Sequence, residues 1–228
     1  MGTKYAVIVF PGTWSETDWR HAINGVAGAA ADLVFHKQEA LSGYDCIVLP
    51  GGFSYGDYLR PGARARFSPV MIAISRFARE GGPVIGSCNG FQVLCESGLL
   101  PGALLRNRGL KFRCKPQHLL VERATSPFTS RLRTGQVISI PVSHGDGNYF
   151  ADPHILDLME SRGQIMLRYC DEFGSQTDLS NPNGSARNIA GITNEMGNVL
   201  GMMPHPERVV EEEMGGTDGL LIIESIQE

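Results

Sequence analysis

The chain has 228 residues, of which 42% are hydrophobic and 19% charged, with a formal net charge of −4. This length suffices for one α/β domain with a full core, so we expect a single domain over residues 1–228. The acidic balance, without a basic run, argues against nucleic acid as a partner. No apolar stretch approaches the ~20 residues that cross a membrane, so we expect a cytoplasmic protein.

Apolar strands and amphipathic helices alternate along the chain. Nearly continuous apolar strands between helices indicate an α/β fold with a mostly parallel sheet covered on both faces. Residues 111–149 have a different pattern, strands separated by turns, which predicts an antiparallel strand insertion. In chain order we predict strands at 4–10, 32–36, 45–49 and 83–86, helices from a capping box at 15–18 through 26 and over 69–79, a hairpin of 190–193 with 199–203, and a closing helix at 219–227.

The segment 83–92 (PVIGSCNGFQ) has the pattern of a nucleophile elbow, in which a strand turns sharply into a helix. Gly86 and Gly90 flank Cys88 at the positions where such a turn leaves no room for a side chain. The turn would place the Cys88 sulfur at a helix N-terminus, where the dipole and free backbone N–H groups favour the reactive thiolate. Cys88 is therefore the candidate nucleophile.

The segment 201–208 (GMMPHPER) supplies a candidate base for that nucleophile. Pro206 biases His205 towards an extended backbone, and side chains two residues apart in an extended segment point the same way. The Glu207 carboxylate should then reach the imidazole of His205 and fix its orientation, as the third member of a catalytic triad does. His144, in the polar turn 144–148, is a weaker alternative base, because no proline holds it and the acidic residue two positions later in an extended segment.

A glycine-rich turn follows the apolar run 46–49. We predict that Gly52 provides one backbone N–H of an oxyanion hole and that Asn89, which follows the nucleophile, provides the other. Gln92 lies one helical turn after Cys88, and its side chain should lean towards the nucleophile. A glutamine at this position is also compatible with a role as a helix former alone.

The five cysteines are irregularly spaced and contain no C-x-x-C pair. We therefore predict neither a disulfide framework nor zinc, and no metal site in this chain. Cys95 lies two helical turns after Cys88, and we interpret it as a packing residue.

The glycine turn, the Cys elbow and the His-Pro-Glu segment, in this order, resemble the class I (triad) glutamine amidotransferases. Segments 50–60 (PGGFSYGDYLR), 142–149 (VSHGDGNY) and 198–208 (NVLGMMPHPER) narrow the resemblance to the glutaminase subunits of phosphoribosylformylglycinamidine synthase, over essentially the whole chain. The resemblance implies the flavodoxin-like class I glutaminase fold. It also implies that Gln92 and the turn around His144 and Gly145 hold the substrate glutamine. Ser87 departs from the family pattern, in which the residue before the nucleophile is usually aliphatic.

The same resemblance implies a reaction and its partners. Cys88 would attack L-glutamine, and His205 would protonate the departing ammonia and then activate water, which releases glutamate. No ATP-binding motif is recognisable in the sequence, so we expect no cofactor in this chain, with ATP and magnesium on another polypeptide. By resemblance, that partner is the large synthetase subunit PurL, accompanied by the small accessory subunit PurS, in purine biosynthesis.

Three other interpretations are open from the sequence. The chain could be a glutaminase for a different acceptor, a DJ-1-like or peptidase-like protein with a Cys elbow, or a non-catalytic binding subunit. The glycine turn, Gln92 and the His-Pro-Glu segment argue against the second interpretation. The presence of Cys88, His205 and Glu207 together argues against the third.

Overall fold

The structure is a computed structural model and describes residues 2–227. Over these residues it contains thirteen strands and five α-helices, joined by short single turns of 3-10 or π helix. The strands are β1 Lys4–Val9, β2 Ala30–Phe35, β3 Cys46–Leu49, β4 Val84–Ser87, β5 Ala103–Leu105, β6 Arg113–Lys115, β7 His118–Val121, β8 Val137–Ser139, β9 Val142–His144, β10 Asn148–Phe150, β11 Ile165–Tyr169, β12 Ile189–Thr193 and β13 Val199–Met202. The helices are α1 Glu16–His21, α2 Val70–Arg79, α3 Asn89–Glu96, α4 Pro153–Ser161 and α5 Asp218–Ser225.

Nine strands form one mixed sheet in the order β2-β1-β3-β4-β13-β12-β11-β7-β8. The neighbours from β2 to β13 are parallel, and those from β13 to β8 are antiparallel. Every residue of β3, β4 and β13 is buried, because helices and loops cover both faces of the parallel half. Two buried clusters, one on each side of the sheet, form the core.

The elements predicted for the first hundred residues, the hairpin and the closing helix are confirmed to within two residues at each end. The antiparallel region is more extensive than the sequence indicated. Among residues 2–227, only β6 with β9 and β5 with β10 form separate two-stranded sheets, whereas β7 and β8 join the main sheet through β11. Pairing of β7 with β11 joins residues almost fifty positions apart, and a local pattern does not specify such a partner.

The predicted capping box at the start of α1 is wrong in its hydrogen bonds. Ser15 is the N-cap residue, but its side chain makes no capping bond, and its hydroxyl accepts the Gly51 N–H at 2.9 Å. The helix runs to His21 and continues as a π turn over Ala22–Val26. Ser15 therefore ties the start of α1 to the glycine turn after β3.

The topology brings the three sequence motifs together. Strands β3, β4 and β13 are adjacent and parallel, so their carboxyl ends lie at the same edge of the sheet. The glycine turn follows β3, Cys88 follows β4 and the His-Pro-Glu segment follows β13. Ligand sites in open α/β sheets lie at this edge. Within the described residues, no helix has both the length and the apolar character needed to cross a membrane.

Candidate active site

Cys88 occupies the sharp turn between β4 and α3. Its φ of 50° and ψ of −107° place it in a region that non-glycine residues rarely adopt, and such strain concentrates at functional sites. A side chain at Gly90 would collide with the Leu49 carbonyl oxygen, and a Cβ at Gly86 would lie 2.7 Å from the Gly90 carbonyl carbon. The Cys88 N–H donates to the Met202 carbonyl at 2.8 Å. The close packing at Gly86 and Gly90 and the hydrogen bond to Met202 therefore fix the conformation of the elbow. Cys88 is 6% exposed.

The predicted contact between His205 and Glu207 is present. Nδ1 of His205 lies 2.7 Å from Oε1 of Glu207, and both side chains are buried. The backbone path differs from the predicted extended segment, because Pro206–Arg208 form a 3-10 turn directly after His205, whose φ is −107° and ψ 87°. The His205 N–H donates to the Pro141 carbonyl at 2.8 Å, which fixes the start of this turn.

The charges around His205 favour its imidazolium form. Burial by itself lowers the pKa of His205, but the opposing charges of Glu207 and Cys88 outweigh burial and raise the pKa to about 10. The bond to Glu207 uses Nδ1, and the buried Nε2 has no hydrogen-bond partner among the described residues. Nε2 is therefore the ring atom available for proton exchange with a nucleophile or a leaving group.

Cys88 and His205 line a common cavity of about 150 Å³ at the sheet edge. The Cys88 sulfur lies 3.5 Å from the Ser143 carbonyl oxygen, which is on another wall of this cavity. Of the predicted site residues, the cavity brings together Cys88, His205, Gly52, Gln92, His144 and Gly145. Glu207 lies behind His205, and Asn89 begins α3 directly after the nucleophile.

Gly52 has a geometry suited to donating its N–H to a ligand. It forms an antiparallel bridge with Thr13, but the bonds of that bridge run from Trp14 N–H to the Gly51 carbonyl and from Phe53 N–H to the Gly12 carbonyl. In this type of pair the N–H of the central residue points away from the partner strand. Its φ is +148°, and an added Cβ would lie 2.6 Å from the Trp14 nitrogen, so only glycine fits.

Gln92 links the elbow to the turn that follows β9. Its Oε1 accepts from Asn89 Nδ2 at 2.8 Å, and its Nε2 donates to the Asp146 carbonyl at 2.7 Å. Asn89 Oδ1 in turn accepts the Ser54 N–H at 3.1 Å, which extends the connection to the glycine turn. Gln92 thus holds two walls of the cavity together, and its amide has a second hydrogen with which to donate to a ligand.

The imidazole of His144 belongs to a buried polar network beneath the turn. Nδ1 lies 3.1 Å from Asn107 Oδ1, and Nε2 lies 3.4 Å from Asn183 Nδ2. The Gly147 N–H also donates to Asn107, and its carbonyl accepts from Asn183. Burial and the nearby His205 charge lower the pKa of His144 to about 4, so the ring is neutral at neutral pH. This network holds the turn in place.

The structure explains one residue that the sequence left unexplained and adds two carboxylates to the cavity. The hydroxyl of Ser87, fully buried before the nucleophile, accepts the indole N–H of Trp19 at 2.9 Å, which accounts for a polar residue there. Asp57 and Asp146 also line the cavity. Sequence reasoning singled out neither for this site, although both stand in the segments that carry the family resemblance.

Known proteins identify the family. The model for the CobB/CobQ-like glutamine amidotransferase domain matches residues 2–216. A Moorella thermoacetica protein, phosphoribosylformylglycinamidine synthase subunit PurQ, is 55% identical over 98% of this chain and 94% of its own. The chain belongs to the PurQ family of glutamine amidotransferases. PurQ of Salinibacter ruber is 54% identical over 99% of this chain and 96% of its own.

A solved structure supports the same assignment. The structure of PurLQS from Thermotoga maritima contains a chain that is 41% identical and matches with a TM-score of 0.87, covering 99% of this chain and 98% of that one. The predicted class I glutaminase fold is therefore confirmed, with the mixed nine-stranded sheet of the PurQ family.

Proposed function

We propose that this chain is the glutaminase subunit of a phosphoribosylformylglycinamidine synthase, with Cys88, His205 and Glu207 as its catalytic triad. The observation that carries the assignment of roles is the buried His205–Glu207 pair beside a strained cysteine in one cavity. Membership of the PurQ family supplies the reaction.

The chemistry follows from the geometry. The Cys88 thiolate attacks the side-chain amide carbon of L-glutamine, and a C–S bond forms as the carbonyl oxygen takes the negative charge. Collapse of this intermediate breaks the C–N bond, and the nitrogen takes a proton from the His205 imidazolium and leaves as ammonia. Water then gives a proton to His205 and attacks the γ-glutamyl thioester, which releases glutamate and restores the Cys88 thiolate.

The surrounding residues have supporting roles in this proposal. The N–H groups of Gly52 and Asn89 stabilise the oxyanion, and the free N–H of Gly52 favours this role. Glu207 keeps Nδ1 of His205 protonated, so that Nε2 exchanges the proton. Gln92 and the backbone around His144 and Gly145, which also line the cavity, bind the rest of the glutamine.

The ammonia needs an activated acceptor. We infer that a PurL-type subunit with ATP and magnesium, joined by a PurS-type subunit, converts formylglycinamide ribonucleotide into its amidine. The support is the identity to PurQ proteins and the likeness to the PurQ-like chain of a PurLQS assembly. We further propose that residues 1–228 act as a single glutaminase domain in the cytoplasm.

Separation of the two half-reactions tests this function. The complex with Cys88→Ala should lose glutamine-dependent synthesis and keep ammonia-dependent synthesis, because acceptor chemistry lies on the partner. Cys114→Ser, which changes an exposed cysteine, is the matched control and should keep both activities. The electrophilic glutamine analogue diazo-oxonorleucine should label Cys88 alone, as read by peptide mass spectrometry. Labelling of Cys95 at an equal rate, or loss of ammonia-dependent synthesis, would contradict the proposal.

A further inference from the structure

Asp57 is a charged group of the active-site cavity to which the proposed reaction gives no role. It lines the cavity with Cys88 and Gln92, yet its Oδ1 is buried and has no hydrogen-bond partner within residues 2–227. A buried carboxylate oxygen is costly to leave unpaired, and an unpaired group in a functional cavity calls for a partner that arrives with a ligand.

The loop holds Asp57 in this position at a conformational cost. Tyr55, Gly56 and Asp57 have consecutive positive φ values of 56°, 74° and 53°, of which only the glycine adopts such values readily. The Tyr55 N–H donates to the Pro11 carbonyl at 2.6 Å, and its hydroxyl lies 2.9 Å from the Ser68 hydroxyl. The anchored tyrosine keeps the strained run in place, and with it the carboxylate of Asp57.

The other charges of the cavity do not neutralise Asp57. Asp146 faces Arg106, with an N–O distance of 3.9 Å, and Arg208 donates from Nε to Asp18 at 3.1 Å. The positive charge of His205 is paired with Glu207. Of the two carboxylates that line this cavity, Asp57 therefore has no cationic group beside it in the described chain. A ligand with a positive charge would be favoured there.

We propose that Asp57 binds the α-ammonium group of L-glutamine and thereby selects an α-amino acid over other primary amides. This proposal rests on the proposed glutaminase function. L-glutamine carries its ammonium group at the end remote from the reacting amide, so that binding at Asp57 would leave the amide free to reach Cys88. The cavity then recognises its substrate at both ends.

Titration of Asp57 offers an independent readout. Burial and the negative charge of Asp146 raise the pKa of Asp57 to about 6. An ammonium ligand stabilises the ionised form, so that binding below this pH must expel a proton, and the KM for glutamine should rise as pH falls through about 6. The other titratable or charged groups that face the cavity are Cys88, His144, Asp146, His205 and Arg208.

The test pairs a change in the protein with a change in the substrate. Glutaramate has the same reactive amide and carboxylate as glutamine but lacks the α-amino group. In the assembled complex, Asp57→Asn should raise the KM for L-glutamine by about 10- to 100-fold with kcat little changed. It should alter kcat/KM for glutaramate by no more than about twofold, and the rise of the glutamine KM at low pH should disappear. Asp178→Asn, which changes an exposed aspartate outside the cavity, is the matched control.

Asp57→Glu supplies a second variant, because it retains the carboxylate and should recover most of the preference for glutamine. If Asp57→Asn fails to fold, the preference of Asp57→Glu for glutamine over glutaramate decides the matter, and loss of that preference in a folded protein argues against the proposal. Equal losses towards glutamine and glutaramate would assign Asp57 a structural role and overturn it. Unchanged kinetics would overturn it too. A wild-type complex that does not hydrolyse glutamine at all would instead overturn the proposed function and, with it, this inference.

Discussion

Replacement of Glu207 by glutamine removes a buried charge and keeps nearly the same shape. The carboxylate bonds to His205 Nδ1 through Oε1, whereas Oε2 is buried and has no hydrogen-bond partner in the part of the chain that the structure describes. Glu207→Gln therefore tests how the negative charge of Glu207 affects the protonation of His205, with little change in packing. We expect lower glutaminase activity and a weaker dependence of stability on pH.

The size of both effects follows from the pKa of His205. A rise from the usual 6.5 to about 10 corresponds to about 5 kcal/mol of preference for imidazolium in the folded protein. Glu207 is the largest of the causes that raise the pKa, and loss of a hydrogen bond to a charged group typically costs about 1.5 to 3 kcal/mol. Because His205 must carry a proton to the leaving ammonia, the same loss in the transition state corresponds to a rate lower by on the order of 10²-fold. His205→Ala should be more damaging, because it removes the base itself.

The sign of the pH effect is fixed by the direction of the shift. A histidine whose pKa is raised by folding stabilises the protein fully below its unfolded pKa, near 6.5, and this stabilisation is lost as pH rises through about 10. Urea unfolding of the wild type should show that loss across this range, and Glu207→Gln should show a loss smaller by about 1.5 to 3 kcal/mol. Glu213→Gln, at an exposed position nearby, should behave as the wild type.

Two results would refute this reasoning about Glu207. One is a Glu207→Gln complex that hydrolyses glutamine at the wild-type rate, since the charge would then have no role in proton transfer. The other is an unchanged pH dependence of the free energy of unfolding, since His205 would then owe its raised pKa to something else.

Two further predictions concern stability. The unfolded chain binds a proton to His144 near pH 6.5, whereas the folded chain does so only near pH 4. The free energy of unfolding of the wild type should therefore decrease by up to about 3 kcal/mol as the pH is lowered from 6.5 to 4. His144→Gln should flatten that slope in urea unfolding, and an unchanged slope would show that another group causes it. Gly90→Ala should lower the free energy of unfolding by about 1 to 3 kcal/mol and slow labelling of Cys88 by diazo-oxonorleucine, because the added methyl collides with the Leu49 carbonyl. Calorimetry and mass spectrometry measure the two effects, and wild-type values in both would argue against a tightly packed elbow.

Local patterns in the sequence determined much of this protein. The elbow around Cys88 was recognisable because its glycines and its strand-to-helix change lie within ten residues. The contact of Glu207 with His205 could likewise be predicted, because the two residues are only two positions apart in the sequence. The parallel strands could be predicted from the sequence, because strands that are buried on both faces consist of nearly continuous apolar residues.

Only the tertiary structure decided what these pieces contact. The connection from Ser54 through Asn89 and Gln92 to Asp146 joins three segments that are distant in the chain, and each bond depends on how the loops fold back over the sheet edge. The unpaired Oδ1 of Asp57 also could not be predicted from the sequence. Among the described residues, the lack of a hydrogen-bond partner for this atom depends on where every neighbouring group lies in the fold. Residue spacing specifies contacts within one element. Whether a polar atom far from its neighbours in sequence is satisfied or left unpaired depends on burial by the whole fold.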